Sequence, residues 1–325
     1  MEVYHFAFPM PGESARLARE VEDGGWDGLL FADSQNLQAE VFVELALAVR
    51  ATERLRLGTG VTNPVTRHPA VVASAAATLQ AESGGRIVLG VGRGDSSLTF
   101  VGRQPASADV LEEFVSDLQT YLRGDAVHGH RLEWLSAAPP KVPVDVAATG
   151  PHTIAVGARC ADALTFAVGA EPERIRWAIE TGRAAGAPRF GAYVIAAVHR
   201  DLAAARDLVR ANVGIFAHFS RGSLERLQPS DRVVVEAVSH RYDTAEHARS
   251  DSAQTTAVPD DFVDRFAVVG TAERCLDRLR ELEARGLERV VVVGAAKDAD
   301  PRQAVAARKR FAAEVLPELQ RSPSK

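Results

Sequence analysis

The sequence predicts an α/β chain folded as a single closed (β/α)8 TIM barrel with insertions at the C-terminal face of its strands. Three observations lead there. Eight short apolar runs each precede a stretch of helical periodicity. The runs are continuous rather than alternating, as expected of parallel strands buried on both faces. No linker or shift of composition divides the 325 residues, so residues 1–321 read as one barrel domain and 322–325 as a disordered tail.

The elements follow in order. "VYHFAF" (3–8) is the first strand, and the helix "ESARLAREVEDGG" ends on Gly24-Gly25. "WDGLLFAD" (26–33) and the helix 40–51 form the second unit, "RLRLGTG" (54–60) and the helix 69–85 the third. "RIVLGVG" (86–92) leads to a helix expected to bury Val110, Phe114, Leu118 and Tyr121 on one face. The second half continues with strands 142–148, 162–169, 190–198 and 287–294, and with helices 152–161, 173–186, a long one from Asp201, and 271–286. Asp300-Pro301 opens a terminal helix as N-cap and first-turn proline, carrying Ala304, Arg308, Phe311 and Val315 on one stripe. Two segments break the rhythm, a connection at 124–141 and an insertion at 220–262, and long insertions on barrel tops usually build pockets and lids.

Composition excludes several classes. A net charge of −5 offers no field for nucleic acid or an anionic membrane, and no apolar stretch approaches the length of a membrane span. Cys160 and Cys275 give neither a disulfide framework nor a metal spacing, and a cytoplasmic protein with buried thiols is the expectation. The nine histidines are scattered without H-E-x-x-H, so no metal is expected, and no G-x-S-x-G elbow occurs.

Barrel chemistry sits at the C-terminal ends of the strands. Those positions read Ala7-Phe8-Pro9, Asp33-Ser34-Gln35-Asn36, Gly58 to Pro64, Gly92-Arg93-Gly94-Asp95-Ser96, Ala148-Thr149-Gly150-Pro151 and Val168-Gly169. Such a surface, rich in glycine and small hydroxyls, suits a planar or phosphorylated cofactor. The glycines of "GVGRGDS" fall at 90, 92 and 94, which is not G-x-G-x-x-G, so a tight exit needing positive φ is the plain reading. In "AATGPHT" (147–153) two readings stay open, a phosphate held at the helix start or ordinary capping by Thr149 or His152. Taken alone, "LGTGVTNPVTRHPAV" (57–71) is a stiff exit loop whose glycines let something flat approach the backbone. His68 before Pro69 reads as a capping or surface residue, and the direction of His5 is not set by the sequence.

The stretch 57–96, with G-T-G-V-T-N-P, R-H-P, A-T-L-Q-A-E-S-G-G-R and G-V-G-R-G-D in order, resembles the luciferase-like flavin and deazaflavin oxidoreductases. It is most similar to the branch of coenzyme F420-dependent methylenetetrahydromethanopterin reductases, and "VPVDVAATGP", "FAVGAEPERIRWA" and "FAVVGTAERCLDRL" extend the likeness over roughly 1–300. The resemblance implies a non-prolyl cis peptide at Gly60-Val61, forming a bulge behind the central ring of the cofactor. It implies Thr62 and Asn63 at the ring edge, with Ser34, Gly92 and Gly94 beside it. Ala148, Thr149, Gly150, Pro151, Val168 and Gly169 would hold the phosphate end, and Asp33 and Asp95 would be the catalytic carboxylates. Coenzyme F420 is the implied cofactor and FMN the alternative; a small organic molecule is the substrate and a homodimer the expected assembly. One departure stands out: deazaflavin-dependent relatives commonly carry Asp-His where this chain has Asp33-Ser34, which removes a histidine acid or base from that point. Three functions follow for testing: hydride transfer with F420, an FMN-dependent monooxygenase, and a non-catalytic flavin-binding relative. His218, His240, Tyr242 and His247 fall in or beside the insertion and read first as solvated loop residues.

Overall fold

A computed structural model describes residues 1–135, 140–187 and 189–321. Its strands are β1 (Glu2–Ala7), β2 (Gly28–Phe31), β3 (Arg56–Thr59), β4 (Ile87–Val91), β5 (Val144–Ala148), β6 (Ala163–Phe166), β7 (Phe190–Val198), β8 (Val268–Gly270) and β9 (Arg289–Val293). β1 to β7 and β9 close into an eight-stranded parallel barrel, with β6 pairing β7, β7 pairing β9 and β9 pairing β1. β8, for which the sequence predicts no strand, adds to the far end of β7 at Ala196–Val198. The eight predicted barrel strands are all present.

Alternation along the strands sorts side chains into two cores. Leu29, Leu57, Leu89, Val146, Leu164, Val194 and Val292 point outward and pack on the helices. Tyr4, Leu30, Val88, Ala167, Tyr193, Val291 and Val293 point into the barrel. Each fully buried leucine or valine contributes about 1.5–3 kcal/mol. The floor of the interior is polar: Arg289 pairs with Asp145, Thr165 Oγ1 donates to Asp145 Oδ2 at 2.8 Å, and the guanidinium lies 5.2 Å from the Tyr4 ring centre. That cluster fills the floor, and a cavity opens at the ends where the strands exit.

Helix starts follow the chemistry read from the sequence. His68 Nδ1 accepts from the Ala70 amide at 3.2 Å and Pro69 opens the helix Pro69–Ser83, which makes His68 a cap. Asp300 caps the helix Pro301–Arg310, which continues through a π-helical turn at Phe311–Val315 where both Phe311 and Val315 are buried. One expectation is corrected: on the helix Ala108–Leu122, Val110 is 46% exposed, and Leu111, Phe114, Val115, Leu118, Tyr121 and Leu122 form the buried face. The stripe turns because Leu111 and Val115, one helical turn apart, outweigh the single Val110. His5 points outward against Trp26, at 5.1 Å between ring centres, and away from the barrel interior.

The insertion is helical rather than looped. After the helix Leu202–Phe219 come a 3₁₀ segment Ser220–Arg226, helices Pro229–His240, Ala253–Thr256 and Asp260–Phe266, and a turn at Thr244–Glu246. Side-chain bonds at several points hold it, Arg265 to Asp231 and Arg206 and Arg210 to Asp260 among them. Buried Arg174 donates to Ser220 Oγ (3.3 Å) and Ser223 Oγ (3.2 Å), and Ser250 Oγ donates to Asp298 after β9 (2.7 Å). The expected tail 322–325 and part of the 124–141 connection (136–139) lie outside the described residues.

Candidate active site

A cavity of about 500 Å³ opens at the C-terminal ends of the strands. One wall is the stretch after β3. The Gly60-Val61 peptide is cis, as the resemblance implies. Gly60 N donates to Phe31 O (2.7 Å) and Thr62 N to Gly90 O (2.9 Å), so the chain is stitched on both sides while Val61 bulges into the cavity. The neighbouring glycines are there to make room. A Cβ on Gly92 would sit 2.8 Å from Val61 Cγ2, and one on Gly90 would strike the Thr59 carbonyl. Gly94, at φ 78°, makes the expected positive-φ exit. Gly60, Val61, Gly92 and Gly94 all line the cavity.

Thr62 and Asn63 do not line it. Both are fully buried behind Val61, and Asn63 Oδ1 accepts from the Val65 and Thr66 amides at 3.0 Å, folding the exit loop. Thr62 Oγ1 and Asn63 Nδ2 bond nothing among the described residues.

The two carboxylates differ. Asp33 lines the cavity beside Ser34, but Arg67 holds it from both sides: Nε donates to Oδ2 at 3.0 Å and Nη2 to Oδ1 at 2.9 Å. Gln35 Nε2 donates to Oδ1 as well, at 2.7 Å. Such a fork fixes the carboxylate's orientation. Asp95 has no such partner among the described residues. Burial pushes its carboxyl above the usual range, partly opposed by Arg221 and Arg93.

At β5 and β6 the strand pleat shifts the expected residues by one. The sequence reading places Ala148 and Val168 at the cofactor; both face the helices, and their neighbours Ala147 and Ala167 line the cavity. Thr149 lines it too, joined by Thr153. Gly150 is the N-cap of the helix Pro151–Cys160, with no side chain bonded to its amides, so neither Thr149 nor His152 caps it. Gly150 and Pro151 shape that helix start without lining the cavity, and Gly169, at φ 82°, turns against the Phe266 ring.

The opposite wall comes from the helix Leu202–Phe219 and the insertion that follows it. Asn212, Phe216 and Phe219 sit on one face of the helix Leu202–Phe219, followed by Arg221, His247 and Ala248, with Lys297 after β9. Phe6, Phe8 and Tyr193 supply an aromatic side, Phe6 lying 5.4 Å from Phe8 and 6.3 Å from Tyr193. Arg221, Lys297 and Asn212 were not anticipated. The i, i+4, i+7 spacing of Asn212, Phe216 and Phe219 was the available signal, a helix face with a polar group at its head.

Comparison with known proteins agrees with this architecture. The family model "Luciferase-like monooxygenase" matches residues 7–289. The chain belongs to the luciferase-like monooxygenase family. Members of that family named among its relatives are oxidoreductases. The chain is 27% identical over 288 residues to 5,10-methylenetetrahydromethanopterin reductase of Archaeoglobus fulgidus, covering 83% of this chain and 86% of that one. It is 30% identical over 184 residues to an F420-dependent glucose-6-phosphate dehydrogenase of Nakamurella multipartita, covering 50% and 54%. The coenzyme F420-dependent tetrahydromethanopterin reductase structure from Methanopyrus kandleri superposes with a TM-score of 0.74 at 23% identity, over 98% of this luciferase-like chain and 99% of that one. No helix among the described residues is long and apolar enough to cross a membrane.

Proposed function

We propose that this luciferase-like protein is an oxidoreductase that binds coenzyme F420 and moves a hydride to or from a small organic substrate. The observation that carries the reading is the Val61 bulge at one end of the cavity, given room by Gly90 and Gly92, with a helix start free of side-chain caps at Gly150. A flat ring rests against such a bulge, and a phosphate suits free amides at a helix N-terminus. Thr149 and Thr153 would hold that phosphate end, and Gly60, Val61, Gly92 and Gly94 the ring. Bound there, the deazaflavin supplies the hydride chemistry. Asp33, fixed by Arg67, keeps the second-strand exit in place. Asp95, unpaired and raised by burial, is the carboxyl able to carry a proton to or from the substrate's heteroatom. The buried, unpaired Thr62 Oγ1 and Asn63 Nδ2 leave hydrogen-bonding capacity behind the ring site. A homodimer belongs to the same reading and is checked by sedimentation.

Titration of the purified protein with F420 and separately with FMN, followed by cofactor fluorescence, tests it. Tight binding of F420 alone supports deazaflavin hydride transfer. Tight binding of FMN alone replaces it with the monooxygenase function, and oxygen uptake becomes the assay. Binding of neither rejects the cofactor assignment.

A further inference from the structure

The sequence lacks a histidine at the second-strand exit, where Ser34 stands, yet the cavity does contain an imidazole. His247 lines it from the opposite side, within the insertion. Its Nδ1 lies 2.6 Å from the Tyr242 hydroxyl. A phenol is a strong donor and a weak acceptor, whereas an unprotonated imidazole nitrogen is a good acceptor, so the phenol proton points to Nδ1. Burial also raises the Tyr242 phenol far above its ordinary value, which keeps that proton in place. With Nδ1 accepting, the ring hydrogen of a neutral His247 must sit on Nε2, the nitrogen that bonds nothing among the described residues.

Two further observations show that this arrangement is held. Tyr242 stacks on His218, with ring centres 3.7 Å apart and planes 12° apart, so the phenol has little freedom to swing. The residue after His247 is Ala248, buried and at φ 64°. A left-handed alanine costs energy that the surrounding packing must supply, and such residues concentrate where a side chain is being aimed. The charged and titratable groups around the pair are Lys297 after β9, His218 stacked on Tyr242, and Arg221 and Asp95, whose charges reach the phenol. Burial, and after it the Lys297 ammonium, disfavours an imidazolium and holds His247 down at about 4.

The geometry points to His247 as a neutral imidazole that donates its Nε2–H hydrogen bond to the reacting heteroatom of the substrate, a carbonyl oxygen or imine nitrogen, with Tyr242 as its positioning residue. This deepens the hydride-transfer reading and rests on it. A neutral donor polarises a C=O or C=N bond without bringing a charge that would have to be neutralised later. It adds a hydrogen bond and no covalent step. The substrate class follows: a molecule whose reacting carbon bears oxygen or nitrogen, in preference to an unpolarised alkene.

The test reads His247 directly in the full-length protein without cofactor. Long-range proton–nitrogen NMR spectra of histidine-labelled protein, assigned by the signals lost in His247→Gln, report the tautomer. The expected result is a neutral ring protonated on Nε2 at pH 7 that stays neutral to below pH 5, with mixed tautomers in Tyr242→Phe. An Nδ1-protonated ring, or titration near the free-imidazole value of ~6.5, overturns the proposal. In the loaded enzyme, His247→Gln, whose amide N–H falls near the place of Nε2, should keep turnover within about tenfold, and His247→Ala should lose about 10²-fold or more. Equal loss in both also overturns it. Failure of both F420 and FMN to bind would remove the proposed function while leaving the NMR result to judge the tautomer.

Discussion

Arg67 and Asp33 allow the division of labour between the two carboxylates to be measured. Asp33's side chain is 2% exposed and Arg67's 15%. Removing the guanidinium in Arg67→Met takes away both forked bonds and leaves the carboxylate buried with Gln35 alone. Breaking a buried pair in this way costs about 3–5 kcal/mol, because the remaining charge is stranded. The opposite change, Asp33→Asn, is milder. Arg67 keeps Glu40 at 2.7 Å and the Phe42 ring at 5.0 Å, and it reaches solvent. Its expected cost is about 1–3 kcal/mol, that of lost bonds to a charged group. The double variant should be less destabilised than Arg67→Met, since it removes the stranded charge. Urea unfolding followed by tryptophan fluorescence gives the three values. Equal losses for the two single variants, or a larger loss for Asp33→Asn, would refute the argument that Asp33 is an anchored structural carboxylate. Turnover lost in Asp33→Asn without loss of stability would return the proton-carrying role to it.

Asp95 should behave in the opposite way. Its carboxyl is raised by burial, so the native state binds its proton more tightly than the unfolded chain; that contribution is full below pH ~3.9 and is lost as pH rises through the raised value. Asp95→Asn is therefore expected to stabilise the protein at pH 7 in thermal melts while lowering turnover about 10²–10⁴-fold. Gly92→Ala forces a methyl against Val61 Cγ2, which should cost about 1–3 kcal/mol and weaken cofactor binding; Val61→Ala in the same chain should restore binding in a fluorescence titration. Three buried histidines, His5 at about 3 and His218 and His247 at about 4, stay neutral in the fold. Their folded values lie below the unfolded one, so the stability they protect is present above pH ~6.5 and lost as pH falls toward 4, by up to about 4 kcal/mol per pH unit while the unfolded chain binds all three protons and the fold binds none. Urea midpoints measured from pH 7 to 4 check this, and His5→Phe should flatten the slope.

The barrel was legible because its signals are local. Continuous apolar strands, paired glycines at helix ends, and prolines at 69, 151, 172 and 301 opening helices each act within a few residues. The cis bulge was legible only through resemblance, since Gly60 and Val61 carry no rule of their own. What failed was directional. At β5 the sequence shows Ala147-Ala148 and at β6 Ala167-Val168, and nothing in either pair says which member faces inward; barrel register decides it. The forked bond between Arg67 and Asp33 joins residues 34 apart, and the contact of His247 with Tyr242 depends on how the insertion packs. Neither could be read before the chain was folded.

The two walls of the cavity are encoded differently, and that has a consequence for how such an enzyme changes its substrate. The wall proposed for the ring is assembled from the exits of β3 to β6, with Gly60 and Val61 after β3, Gly92 to Ser97 after β4, and Ala147, Thr149 and Ala167 at β5 and β6. The facing wall is one uninterrupted length, from Asn212 to Ala248, closed by Lys297. A single exchange of that length can therefore replace most of one wall of the cavity at once, while the wall proposed for the cofactor is left as it was. The exchange works only if the incoming piece brings serines that Arg174 can grip and a carboxylate for Arg265, as Asp231 is now, because those points make the part removable without making it loose.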